Sequence, residues 1–299
     1  MAKEIKANEI KAINTTSLKQ RIIQYKNHSS SFILFALSVL CAFITVGILL
    51  FLIVYILVQG IPNLTPDLFA LEYTSDNASL MPALVNTIIM TAISLLIAVP
   101  LGIFAAIYLV EYAKRGNKLV TAIRTTAETL SGIPSIVYGL FGMLFFVSTL
   151  GWGNSLIAGA CTMAIMILPL IMRTTEEALQ TVPDSFREGS FGLGAGKLRT
   201  VFRVILPTAI PGILSGIILA IGRVVGESAA LIYTAGTIAQ YPKDLLSSTR
   251  TLSVHMYLCT NEGLHTSQAY GTAVVLLVLV VLINALSSFI AKKLTQKIS

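Results

Sequence analysis

The chain has 299 residues, of which 55% are hydrophobic and 12% charged, with a formal net charge of +7. That charged share is about half of what a soluble domain carries, too little to cover a water-facing surface, so a soluble globular protein is excluded. The positive excess reads as membrane topology and contact with anionic lipid, not as nucleic-acid binding. The three cysteines and three histidines are scattered, giving no disulfide framework and no metal-ligand spacing, so neither a metal nor another cofactor is expected.

A helix needs roughly 20 apolar residues to cross the hydrocarbon core. Residues 1–31 are a polar, basic segment expected in the cytoplasm, and residues 32–299 hold six apolar blocks. The first, 32–58, has no charged residue and closes at Gln59-Gly60-Ile61-Pro62. It exceeds the roughly 7 to 15 residues of a secretory signal core and is expected to be an anchor. The second, 86–110, contains Pro100; the third, 130–150, is interrupted by Pro134, Gly139 and Gly142. Such breakers are tolerated where neighbouring helices or a water-filled cavity satisfy the freed backbone groups. Ser131, Pro134 and Ser135 stand at the interruption, where lining a path and simple packing are equally compatible with the sequence. The fourth block, 155–172, follows after Gly151-Trp152-Gly153-Asn154, which requires a tight helical hairpin. Blocks at 208–234 and 273–290 complete an all-α integral membrane protein of six spans.

Lys and Arg are retained on the cytoplasmic side of bacterial membranes. Eighteen fall in the N-terminal segment (Lys3, Lys6, Lys11, Lys19, Arg21, Lys26), the second-to-third connection, the fourth-to-fifth connection and the C-terminus, against two, Lys243 and Arg250, on the other side. This split places both termini in the cytoplasm and agrees with an even number of spans.

The cytoplasmic connection 173–206 is patterned. Pro183 and Asp184 suit the first turn of a helix, Phe186, Gly189, Ser190 and Leu193 fall on one face, Arg187 and Glu188 lie off it, and Gly194 is a C-terminal stop. The product is a short amphipathic helix, either docked on a partner or lying on lipid. The nearby run Gly192-Leu193-Gly194-Ala195-Gly196-Lys197 is not a nucleotide loop. Phe191 and Leu198 stand where glycine and Ser or Thr would be needed, so the chain is not expected to bind or hydrolyse ATP.

The fifth block carries Arg223 and Glu227, followed by Ser228, inside an apolar segment. At i and i+4 the two charges are expected to share a helix face. Charges at such depth cost several kcal/mol and are paired or turned toward water. One reading is a structural pair holding the bundle. The other is a conduit for an oxyanion, with the planar donors of Arg223 meeting its oxygens and Glu227 offsetting the arginine when the path is empty. Arg173 ends the fourth block, where a membrane-edge anchor is the simpler role and a path residue the alternative.

Four stretches carry a family resemblance. Glu188-Gly189-Ser190, three residues, Gly194, nine residues and then Val204-Ile205-Leu206-Pro207 resembles the EAA loop of ABC importer permeases, with Gly and Ser in place of its two alanines and Val204 in place of its isoleucine. Gly222 to Ala235, Glu128 to Phe141 and Leu168 to Glu176 resemble the PstA-type phosphate permeases, and the likeness covers about residues 80 to 295. It implies a MetI-like membrane domain in a bacterial inner membrane. It also implies a coupling helix at Asp184 to Gly194, in which Phe186, Arg187, Glu188, Gly189, Leu193 and Gly194 meet a separate ATPase. The implied partners are a PstC-like second permease, a dimer of ATP-binding subunits and an extracytoplasmic phosphate-binding protein. The sister PstC-like subunit shares the Arg-x-x-Gly-Glu theme, so that assignment and another oxyanion remain alternatives. A self-sufficient channel or secondary transporter is the alternative of a different class, and the amphipathic connection with its Leu-Pro spacing speaks against it.

Overall fold

The computed structural model describes residues 29–114, 116–261, 263 and 265–298. The basic segment from Lys3 to Lys26, His28 and Arg115 lie outside the described residues, as do the side chains of Lys292 and Lys297. Among those described, every regular element is helical. Helix α1, Ser29–Gly60, is apolar on every side, which suits a membrane helix and no amphipathic one. Through Tyr55 it forms a unit of its own, and the body of the fold begins at Ile56.

The body contains α2 (Met81–Tyr112), α3 (Lys118–Ser131), α4 (Ser135–Thr149), α5 (Leu156–Gln180), α6 (Asp184–Gly192), α7 (Lys197–Val225), α8 (Ala229–Thr234), α9 (Leu252–Asn261) and α10 (Thr266–Ile298). Among the described residues five helices, α1 among them, are long and apolar enough to cross a membrane, and the pair α3–α4, bent by 103°, brings the number to six when it is counted as one broken span. The six expected blocks are therefore present with different ends. α5 runs on to Gln180, and α7 begins at Lys197 and continues through Pro207 and Pro211.

Lipid tails are as apolar as leucine, so helices associate here through close packing and not through water exclusion. α2 lies against α5, and a Cβ on Gly102 would stand 2.8 Å from Ile171 Cγ2. Ser94 Oγ reaches across the same seam to Ala160 O at 3.2 Å. α7 approaches α5 at Gly212, where an added Cβ would meet Ala178 Cβ at 2.6 Å. Met90, Met163, Ile167 and Ile171 fill the centre of the bundle, while Ile107, Leu179, Val201 and Ile205 fill a second core toward the cytoplasmic end. α3 is amphipathic: Val120 is buried, and Arg124 Nη2 pairs with Glu176 Oε1 of α5 at 2.6 Å.

One feature gives the expected interruption at Pro134 its form, and another goes beyond the sequence expectation. The third span is a sharp elbow at Gly132-Ile133-Pro134, because Pro134 lacks the N–H that would continue the helix and forces the residue before it out of helical geometry. The connection after span five contains α9, whose Leu252 N–H donates to Thr87 Oγ1 of α2 at 2.8 Å.

α9 brings a titratable group into the interior. His255 is fully buried, and burial together with the nearby Arg250 charge lowers its pKa from 6.5 to about 3. Its folded value lies below its unfolded one, so below pH 6.5 the unfolded chain binds the extra proton. Stability is unaffected above that pH and falls as pH drops toward about 3, with a slope of roughly 1.4 kcal/mol per pH unit at most. Unfolding followed by circular dichroism across this range is expected to lose about one proton of slope in His255→Gln.

Candidate functional site

The fifth span does not carry Arg223 and Glu227 on one continuous helix face. α7 ends at Val225, Gly226 closes it with φ −85° and ψ −5°, and a new short helix starts after Ser228. The expected i, i+4 pair is thereby split: no ion pair joins Arg223 to Glu227 among the described residues. Glycine at 226 weakens the helix locally, and Glu227 completes the break by accepting from Ala230 N at 3.2 Å, capping α8. The carbonyl of Glu227 accepts from Ser253 Oγ of α9, which fixes the break to the outer connection. Ser228 contributes its carbonyl to Leu231 N and Ile232 N at 3.1 and 3.0 Å. Glu227 is thus engaged by both side chain and backbone, and Arg223 is half-buried without a carboxylate partner among the described residues.

The break in span five lies beside the elbow in span three. An added Cβ on Gly139 of α4 would stand 2.7 Å from Ala230 Cα of α8, and one on Gly142 would stand 2.7 Å from Thr234 Cγ2. The two half-helices α4 and α8 therefore pack backbone to backbone. Tyr138 spans the elbow, donating its hydroxyl to Leu130 O at 2.8 Å, and lies within electrostatic reach of Arg223. Pro134 and Ser135 sit at the start of α4; the Ser131 hydroxyl is spent on Ala127 O at 3.0 Å within α3. Two interrupted spans meeting at an arginine give a polar, unwound level in an otherwise apolar bundle, the arrangement in which irregular backbone is tolerated at membrane depth.

Arg173 belongs elsewhere. It is exposed near the end of α5, and its Nε donates to Glu177 Oε1 at 3.1 Å, so its charge is balanced locally. This suits the edge-anchor reading better than the path reading.

At the cytoplasmic end, α6 has no buried residue and is held from one side. Arg187 turns inward: Nε and Nη2 donate to Glu111 Oε1 of α2 at 3.1 and 2.7 Å, Nη1 to Val182 O at 2.8 Å and Nη2 to Leu179 O at 3.0 Å. The last carbonyls of a helix lack intrahelical donors and carry partial negative charge, so a guanidinium at the end of α5 is doubly favoured. Ser190 Oγ and Thr200 Oγ1 lie 2.8 Å apart and tie α6 to α7. Gly194 takes φ +80°, a left-handed geometry open to glycine, and Ala195 N donates back to Ser190 O at 3.1 Å. Phe186, Phe191 and Leu193 are left exposed, Leu193 at 91%, with Glu188 and Gly189 on the open side.

The profile of the family described as "binding-protein-dependent transport system inner membrane component" matches residues 98–299. The chain belongs to that family. A "probable ABC transporter permease protein YqgI" of Bacillus subtilis is 36% identical over 278 residues, which cover 86% of this permease and 94% of the relative. The "phosphate transport system permease protein PstA 1" of Mycobacterium tuberculosis is 35% identical over 218 residues, covering 72% and 71% of the two chains. Among solved structures, a bacterial alginate ABC transporter aligns with a TM-score of 0.66 at 15% identity, over 91% of this permease and 98% of that chain. The MetNI methionine ABC transporter aligns at 0.57 with 21% identity, over 81% and 98%. At these identities the structural neighbours establish the fold alone, an all-helical membrane-protein architecture.

Tyr138, Glu111 and Ser253 each contact the candidate residues or the elements that hold them, yet no local pattern singles them out. Their partners lie far along the chain; Glu111 and Arg187, for example, are separated by 76 positions.

Proposed function

We propose that this permease is the membrane subunit of an ATP-driven importer of inorganic phosphate in the bacterial inner membrane. The observation that carries the path assignment is Arg223, a half-buried arginine with no carboxylate partner among the described residues, where two interrupted apolar segments meet. Its planar donors match the oxygens of a tetrahedral oxyanion. The names of the PstA relatives select phosphate as that oxyanion. Glu227 and Ser228 shape the break that presents Arg223, and Arg173 anchors the cytoplasmic edge.

The exposed face of α6, with Phe186, Gly189 and Leu193, is the surface offered to a separate ATP-binding subunit, which supplies the hydrolysis. Glu188 and Gly194 flank that face, and Arg187 positions it from behind. A second, PstC-like permease completes the path, two ATP-binding subunits drive it, and an extracytoplasmic phosphate-binding protein delivers the anion. Leu193→Asp places a charge at the C-terminal end of the docking face. It is expected to reduce copurification of the ATP-binding subunit at least about tenfold, while the permease still inserts.

Competition measures the cargo directly. In vesicles containing the reconstituted complex, arsenate is expected to compete with labelled phosphate and sulfate is not. Equal competition by sulfate would assign the complex to another oxyanion.

A further inference from the structure

In the sequence, Arg250 is one of two basic residues of an outer connection that reads as solvated. In the structure it is 6% exposed. Its N–H donates to Ile238 O at 3.1 Å and its carbonyl accepts from Asn86 Nδ2 at 3.1 Å, which locks the residue at the outer end of α2. The guanidinium lies over the Tyr73 ring, 4.6 Å from its centroid, while Nε and Nη2 are enclosed without a hydrogen-bond partner among the described residues. No ion pair reaches it among the described residues.

Burying an unpaired guanidinium is strongly unfavourable, and one aromatic face offsets only part of that cost. Among the described residues, the neighbours do not supply the missing negative charge. His255 is buried and carries none, and Glu72 and Asp76 flank Tyr73 in an exposed turn without pairing to Arg250. The adjacent Thr249 hydroxyl is also enclosed and unpartnered, a donor in reserve. Three residues further on, Ser253 bonds to Glu227 O, so this layer is joined to the break that presents Arg223.

We propose that Arg250 forms an extracytoplasmic anion subsite, covered by the Tyr73 ring, that receives the oxyanion before it reaches Arg223. The identity of the oxyanion rests on the function proposed above; the existence of the subsite does not. Phosphate as a free ion and as a lipid headgroup shares the same recognition chemistry, and the test separates the two.

The full-length chain is purified in a phosphate-free detergent, and its melting temperature is followed while inorganic phosphate replaces gluconate at constant ionic strength. Arg223→Gln serves as background, so that the response reports on the outer subsite. In this background phosphate is expected to raise the melting temperature by at least about 2–4 °C near saturation. The rise is expected to vanish in Arg223→Gln/Arg250→Gln and to persist, weaker, with Arg250→Lys, which keeps the charge and controls for folding. A response that survives loss of Arg250, or no response to phosphate or sulfate, overturns the subsite. A response that depends on Arg250 but is given by sulfate and not by phosphate upholds the subsite and overturns the phosphate reading. A parallel arm adds phosphatidylglycerol; stabilisation there with none from either free anion overturns the substrate role.

Discussion

Replacing Arg223 by glutamine in the assembled importer is expected to lower phosphate uptake about 100-fold, the loss of roughly two charge-assisted hydrogen bonds to the anion. Arg223→Lys retains part of the rate, because charge remains while the planar fork is lost. The geometry around Glu227 makes the comparison sharper. If Glu227 acted as a counter-charge to Arg223, removing its charge would matter. Its side chain instead caps α8 through Ala230 N, a bond that a glutamine oxygen also accepts. Glu227→Gln is therefore expected to keep most of the uptake, and Glu227→Ala to lose it by loosening the break. Uptake of labelled phosphate, normalised to permease in the membrane, reads all four variants. Normal uptake by Arg223→Gln would remove Arg223 from the path.

The second large effect is expected at the cytoplasmic face. Arg187 and Glu111 are 16% and 8% exposed, and Arg187 also satisfies two carbonyls at the end of α5. Arg187→Met strands the buried Glu111 carboxylate and leaves Leu179 O and Val182 O without a donor, a destabilisation of about 3 kcal/mol or more. The consequence for function is uncoupling: α6 loses its link to α2, and ATP hydrolysis by the complex no longer responds to loaded binding protein. Arg187→Met combined with Glu111→Leu removes both charges together and is expected to recover much of the stability without restoring the coupling. Thermal melting and stimulated ATPase activity, measured on the same preparations, separate these two effects. If stimulation is normal in Arg187→Met, the pair has no part in transmission.

The apolar, all-helical character was legible because composition and block length report directly on the bilayer, and α6 was legible because Pro183, the apolar face and Gly194 are local signals. The course of the fifth span was not. Arg223 and Glu227 satisfy helical spacing as well as any i, i+4 pair, and a single glycine at 226 is also common inside membrane helices. What decides the break is tertiary: α4 presses on α8 at Ala230, and Ser253 of α9 takes the Glu227 carbonyl. The same holds for Arg187, which by helical position lies off the apolar face and reads as exposed. Its inward turn depends on Glu111 and on the free carbonyls of α5, which only the folded arrangement brings together. Arg250 reads as a solvated loop residue for a similar reason, since nothing local announces that α9 and the Tyr73 turn enclose it.

Phosphate transport through a path at Arg223, driven by a separate ATPase, is the function proposed for this permease. It is tested most directly by phosphate uptake into vesicles that contain the chain with its second permease, ATP-binding subunits and loaded binding protein. Uptake that requires ATP and collapses in Arg223→Gln is the predicted result. Uptake that proceeds without ATP, or an ATP-dependent flux untouched by that substitution, would contradict it.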